Sequence, residues 1–156
     1  MIYLDYNATT PVDDKVLQEI LPYFSVKFGN AASATHLFGV QAKDAVEYAR
    51  EQVATTINCD TQELIFTSGS TEAINMAIKG VYNLYLNKGN HIITVETEHK
   101  AVLDTCQFLE KKGAKITYLK VDKNGLIDLH DLEESITDKT VLVAVMYANN
   151  ETGVTQ

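Results

Sequence analysis

Strands and helices alternate along the second half of the chain, and the strongest of the strands are continuously apolar. His91-Ile92-Ile93-Thr94-Val95 is followed by a helical pattern that runs to about Lys112 and closes at Gly113. Ile116 to Val121 reads as the next strand, Asn124-Gly125 as a turn, Asp128 to Ile136 as a short helix, and Thr140 to Tyr147 as a last apolar run. A strand that is apolar on both faces must be covered on both, and strands joined through helices run parallel. The pattern therefore predicts an α/β fold, three layers (αβα) around a mostly parallel sheet. Ligands of such sheets sit in the crevice beyond the carboxyl ends of the strands.

The stretch Leu64-Ile65-Phe66-Thr67-Ser68-Gly69-Ser70-Thr71-Glu72-Ala73-Ile74-Asn75 reads as a short strand, a tight break and a helix, with Ile74, Ala77, Ile78, Val81 and Leu84 at helical spacing. The first amides of a helix lack partners within it, and the macrodipole adds partial positive charge there. Gly69 permits close backbone approach, and Ser68, Ser70 and Thr71 offer hydroxyls, so a phosphate fits this turn. The plainer alternative is that Ser68 or Ser70 merely caps the helix. Two other polar breaks bear on the choice: Glu96 to Lys100, which carries His99, and Ala148 to Gly153, which carries Asn150. Each follows an expected strand. Ser70, Thr71, His99 and Asn150 are thus expected at one sheet edge, and a phosphate-bearing ligand is the favoured guest.

In the first half, Ile2 to Asp5 reads as a short strand and Tyr6 to Pro11 as an extended polar segment. A helix begins at Asp13 or Asp14 with Val16, Leu17, Ile20, Leu21 and Phe24 on one face. Phe28 to His36 is a loop of small residues, either a connector or the lining of a site. Phe38 to Ile57 is a long helix marked by Ala42, Ala45, Val46, Ala49 and Val53, and Gly89 is expected to terminate the helix before His91.

The 156 residues are about one domain's worth. No run approaches the ~18 apolar residues of a membrane helix, so no membrane partner is expected. Met1 to Asp5 has neither the basic nor the apolar region of an export signal, which points to a cytoplasmic location. A net charge of −8, with no Lys/Arg stripe, argues against nucleic acid as the main partner. The two cysteines, Cys59 and Cys106, stand at no metal or redox spacing, which fits a reducing compartment and no metal site. Cys106 shares a helix face with Val102, Thr105 and Leu109 and is expected to be buried; Cys59 carries no assignment.

Tyr3 to Pro11, Phe28-Gly29-Asn30-Ala31-Ala32-Ser33, Phe66 to Glu72, Thr97-Glu98-His99-Lys100-Ala101-Val102-Leu103-Asp104 and Asn149-Asn150-Glu151-Thr152-Gly153 resemble, in order and spacing, the N-terminal part of cysteine desulfurases of the NifS/IscS type. The resemblance covers essentially the whole chain. It implies a class V aminotransferase-like fold, the large domain of the aspartate aminotransferase-like PLP enzymes. The implied cofactor is pyridoxal 5′-phosphate (PLP), and the implied reaction converts L-cysteine to L-alanine and an enzyme persulfide for iron–sulfur cluster or other thio-cofactor assembly. By the same resemblance Ser70 and Thr71 bind the cofactor phosphate, His99 stacks on the pyridine ring and assists proton transfers, and Asn150 contacts the ring hydroxyl. Residues 1–12 are implied to pack with a small domain of the longer protein, and 13–156 to form the first part of the large domain. A homodimer and a scaffold or sulfur-acceptor protein are the implied partners.

The family's Schiff-base lysine, pyridine-pairing aspartate and nucleophilic cysteine lie beyond the matching segment, so the 156 residues alone are expected to be inactive. Lys100 reads as a solvated lysine. The alternatives are another PLP lyase or aminotransferase, such as selenocysteine lyase, and a non-catalytic anion-binding or dimerising fragment.

Overall fold

The computed structural model describes residues 2–156; Met1, the first residue of the expected segment 1–12, lies outside them. The chain divides into two compact units, one ending at Phe66 and one spanning Thr67–Gln156. The second unit holds α4 (Ser70–Tyr85), β1 (His91–Val95), α5 (Lys100–Glu110), β2 (Lys115–Leu119), α6 (Leu129–Ser135) and β3 (Thr140–Ala144). Its sheet has the order β2-β1-β3, with both pairings parallel. This is the expected α/β arrangement. The last strand ends at Ala144 instead of continuing to Tyr147, where the backbone ladder with β1 stops.

All five residues of β1 are buried, Ile92, Ile93 and Thr94 completely. Helices α4 and α5 lie against its Ile92 face, where Ile78, Tyr82, Ile92, Val102, Cys106, Leu109 and Ala114 form the core. Cutting Ile92 or Ile93 to alanine removes about 2–5 kcal/mol. Cys106 is buried as expected, and burial, with Glu110 and Glu98 nearby, pushes its thiol up to about 11. It is inert at neutral pH.

Polar side chains stitch β1 to its neighbours. The His91 ring bridges Thr140 Oγ1 through Nδ1 and Thr117 Oγ1 through Nε2, both at 2.8 Å, so one imidazole joins all three strands. Thr94 Oγ1 donates to the Ala144 carbonyl at 2.9 Å. Gly89 is not the left-handed helix terminator the sequence indicated. A Cβ there would overlap the Lys139 carbonyl, which accepts the His91 amide at 2.9 Å, so glycine is required by close backbone approach.

The first unit contains α1 (Asp14–Ile20), α2 (Pro22–Ser25), α3 (Leu37–Ile57) and a 3-10 turn at Thr61–Glu63. Asp13 caps α1 through the Lys15 amide, and Pro22 divides the expected first helix in two. His36 caps α3, its Nδ1 accepting the Gly39 amide at 3.1 Å, and the Phe28 and Phe38 rings stack at 5.4 Å. Two expected strands are absent. Ile2 to Asp5 has no ladder partner, and Leu64 to Phe66 is extended but unpaired, its Leu64 carbonyl taken by the Arg50 guanidinium. No apolar residue of α1 is fully buried within the described residues: Val16, Leu17 and Ile20 all remain partly exposed.

Burial, and then the positive charge of Lys115, hold His91 below its ordinary value of 6.5. The unfolded chain therefore takes up a proton that the folded one refuses, so the stability His91 contributes is complete above pH 6.5 and is lost as pH falls below it. The thermal midpoint is expected to fall by a few degrees between about pH 7.5 and about pH 5.5, and His91→Gln to shrink that fall. Parallel melting curves of the two proteins check this.

Candidate functional site

Helix α4 begins without a side-chain cap. Its N-cap is Gly69, at φ 158° and ψ 178°, a region that only glycine populates freely, with open space where a Cβ would stand. The capping alternative therefore does not hold. Ser68 sends both its amide (2.7 Å) and its hydroxyl (2.6 Å) to the Glu72 carboxylate, which these bonds keep below the usual carboxylate range. Ala73 is the first amide with a helical backbone bond, to the Gly69 carbonyl at 3.1 Å. The amides of Ser70, Thr71 and Glu72 stand ahead of it, in the position that receives an anion.

His99 is the N-cap of α5. Its Nδ1 accepts the Ala101 amide at 3.1 Å, so the neutral ring carries its proton on Nε2 and is oriented by the helix it starts. Lys100 is 83% exposed and pairs with Asp104 at 3.4 Å, as a solvated lysine does.

Asn150 sits in a turn built by its neighbour. Asn149 Oδ1 accepts the amides of Glu151 and Thr152, each at 2.9 Å, and Asn149 Nδ2 donates to the Thr97 carbonyl at 3.1 Å. The turn is thereby fastened to the segment that carries His99. His99 and Asn150 line one cavity of about 390 Å³ with Thr97, Glu98 and Thr152. His99 also lines a more apolar cavity of about 410 Å³ with Ile74, Val102 and Met146. Ser70 and Thr71 line neither, but stand one turn before Ile74 on the same side of α4. His99 and Asn150 are thus brought together, whereas no shared cavity or hydrogen bond joins Ser70 and Thr71 to them among the described residues.

A family model described as aminotransferase class-V matches residues 2–156. The chain belongs to that family. Among curated relatives of this class-V chain, the cysteine desulfurase IscS of Rickettsia massiliae is 58% identical over 155 residues, and that of Ehrlichia chaffeensis 59%. Each match covers 99% of this chain and 38% of the relative, so the class-V chain spans about two fifths of their length. A solved NifS-like protein superposes with a TM-score of 0.96 at 43% identity, over 99% of this chain and 42% of the other. A structure of SspA in complex with cysteine gives 0.92 at 41% identity, over 99% and 44%.

The sequence reading places Glu98 and Asn149 within motifs but gives them no role. Glu98 is buried and its carboxylate accepts the Met146 amide across the strand ends. The only local signal was adjacency, since Glu98 precedes His99 and Asn149 precedes Asn150; partners 48 and 52 residues away leave no periodic trace.

Asn149→Ala removes three hydrogen bonds and is expected to destabilise the fold by about 1.5–3 kcal/mol. Amide exchange at Glu151 and Thr152, read by NMR or mass spectrometry, should accelerate with it.

Proposed function

We propose that this class-V chain is the cofactor-gripping part of a PLP-dependent cysteine desulfurase acting in the cytoplasm. The supporting observations are the cavity shared by His99 and Asn150 and, separately, the start of α4, whose anion-receiving amides have no side-chain cap. Likeness to enzymes named cysteine desulfurase across 99% of the chain supports the same reading.

The residues present fit PLP. The amides and hydroxyls of Ser70 and Thr71 hold its dianionic phosphate, a charge-assisted set at a positive helix end. The Asn150 amide serves the ring hydroxyl, since an uncharged group can both give and take a hydrogen bond. His99 offers a flat face to the ring and a proton on Nε2. When bound, the cofactor supplies the electron sink that lets the carbon–sulfur bond of L-cysteine break. His99 holds a proton at Nε2 towards the ligand while its Nδ1 lone pair is taken by the Ala101 amide, so the ring is fixed as a hydrogen-bond donor, and taking up a further proton requires the Nδ1 bond to yield.

The net reaction takes L-cysteine and an enzyme thiol to L-alanine and an enzyme persulfide. Neither cysteine here suits that thiol: Cys106 is buried with its acidity suppressed, and Cys59 is half-buried at the end of α3. By the family resemblance, the thiol, the anchoring lysine and the aspartate facing the pyridine nitrogen lie outside these 156 residues, which in this reading turn over nothing alone. Residues 1–12, with Ile2 and Leu4 about nine-tenths exposed, pack with the small domain of the longer protein, and 13–156 form the first part of the large domain. The exposed apolar side chains of α1 and α3 support a homodimer, and the persulfide is handed to an iron–sulfur scaffold or other sulfur acceptor.

The test uses the protein as encoded, with PLP, L-cysteine and a reducing thiol. Alanine and sulfide should appear in equal amounts, and Thr71→Ala should weaken PLP binding about tenfold. Absence of alanine, or a Thr71→Ala protein that binds PLP like wild type, defeats the proposal. L-selenocysteine turned over in preference to L-cysteine would mark a selenocysteine lyase.

A further inference from the structure

The join between β1 and β3 does not stop where the sheet does. Its backbone ladder ends with Thr94 opposite Ala144. Beyond that point three side chains continue it towards the site: Thr94 bonds the Ala144 carbonyl, Glu98 receives the Met146 amide, and Asn149 reaches the Thr97 carbonyl.

Glu98 is the unusual member of this series. It is a carboxylate only 9% exposed, and among the described residues no lysine or arginine forms an ion pair with it. A carboxylate in that setting is costly unless a donor holds it. Burial holds its pKa above the usual carboxylate value, and the Met146 amide and the neighbouring His99 oppose that rise only in part. Glu98 also lines both cavities that contain His99.

We propose that Glu98 is a positioning residue: its carboxylate ties the turn bearing His99 to the end of β3, so that the imidazole at the head of α5 and the Asn150 turn keep one fixed spacing. This rests on the PLP reading of the site. The turn's other restraints are the Asn149 side chain on the Thr97 carbonyl at 3.1 Å, the Glu98 amide on the Val95 carbonyl at 3.2 Å and the Glu96 amide on the Leu119 carbonyl at 3.0 Å. Glu98, next to His99 in sequence, is the side-chain tether nearest the ring. Displacing a reacting group by about 1 Å can slow a reaction about a hundredfold.

Two variants of the protein as encoded separate reach from charge. Glu98→Gln keeps the length and the accepting oxygen, whereas Glu98→Asp keeps the charge but is one methylene too short for Met146. With Glu98→Gln, Met146 amide exchange in the cofactor-free protein should stay within about threefold of wild type, as should kcat. With Glu98→Asp, exchange at Met146 should accelerate about tenfold or more and kcat fall about 10- to 100-fold, with KM changed less than about threefold. Glu98→Asp behaving like wild type in both measurements overturns the proposal. So does a Glu98→Gln protein that loses kcat while Met146 stays protected, since charge and not reach would then be at work. If wild type binds no PLP, the functional reading fails on its own, and Met146 exchange still decides whether the tether exists.

Discussion

The complete burial of β1 is the constraint from which the second unit follows. A strand with no solvent on either face must satisfy every amide and carbonyl through neighbours, which it does with a parallel partner on each side. The same burial draws in polar side chains that need partners of their own. His91 and Thr94 are the two polar residues of the strand, and each bonds directly to a flanking strand. Core packing and the placement of the site are therefore one problem: what leaves β1 at Val95 is aimed by what β1 is packed against.

The elements legible in the sequence are those whose cause is local. The bounds of β1 match its apolar run, Asp13 and Asp128 cap the helices they precede, and Cys106 lies inward as the helical spacing requires. What the sequence could not disclose depends on distant partners. Leu64 to Phe66 has the composition of a strand, but a strand exists only beside another, and here a guanidinium takes its carbonyl. Gly89 looks like a helix stop, yet its reason is a carbonyl fifty residues on. For the site, the polar breaks correctly marked the segments that matter, because chain leaving a buried strand must become polar. The residues that hold those segments together were hidden, because a tether has no period.

The first unit shows the converse. Its helices are well formed by capping and spacing, yet among their residues only Gly39, Ala42 and Ala54 are buried. Amphipathic pattern here coincides with apolar side chains that the described residues leave exposed. Secondary structure and burial are usually read from one pattern, but in this unit they separate.

Helix α5 and the His99 ring share their first hydrogen bond, which gives the imidazole an unusual dependence on chain synthesis. As the polypeptide emerges, α5 can wind and seat the ring early, from residues adjacent in sequence. The fastening on the far side comes from Met146 and Asn149, roughly fifty positions later. During translation the histidine is thus oriented well before it is located, since its fastening forms only after the turn at Asn149 has emerged.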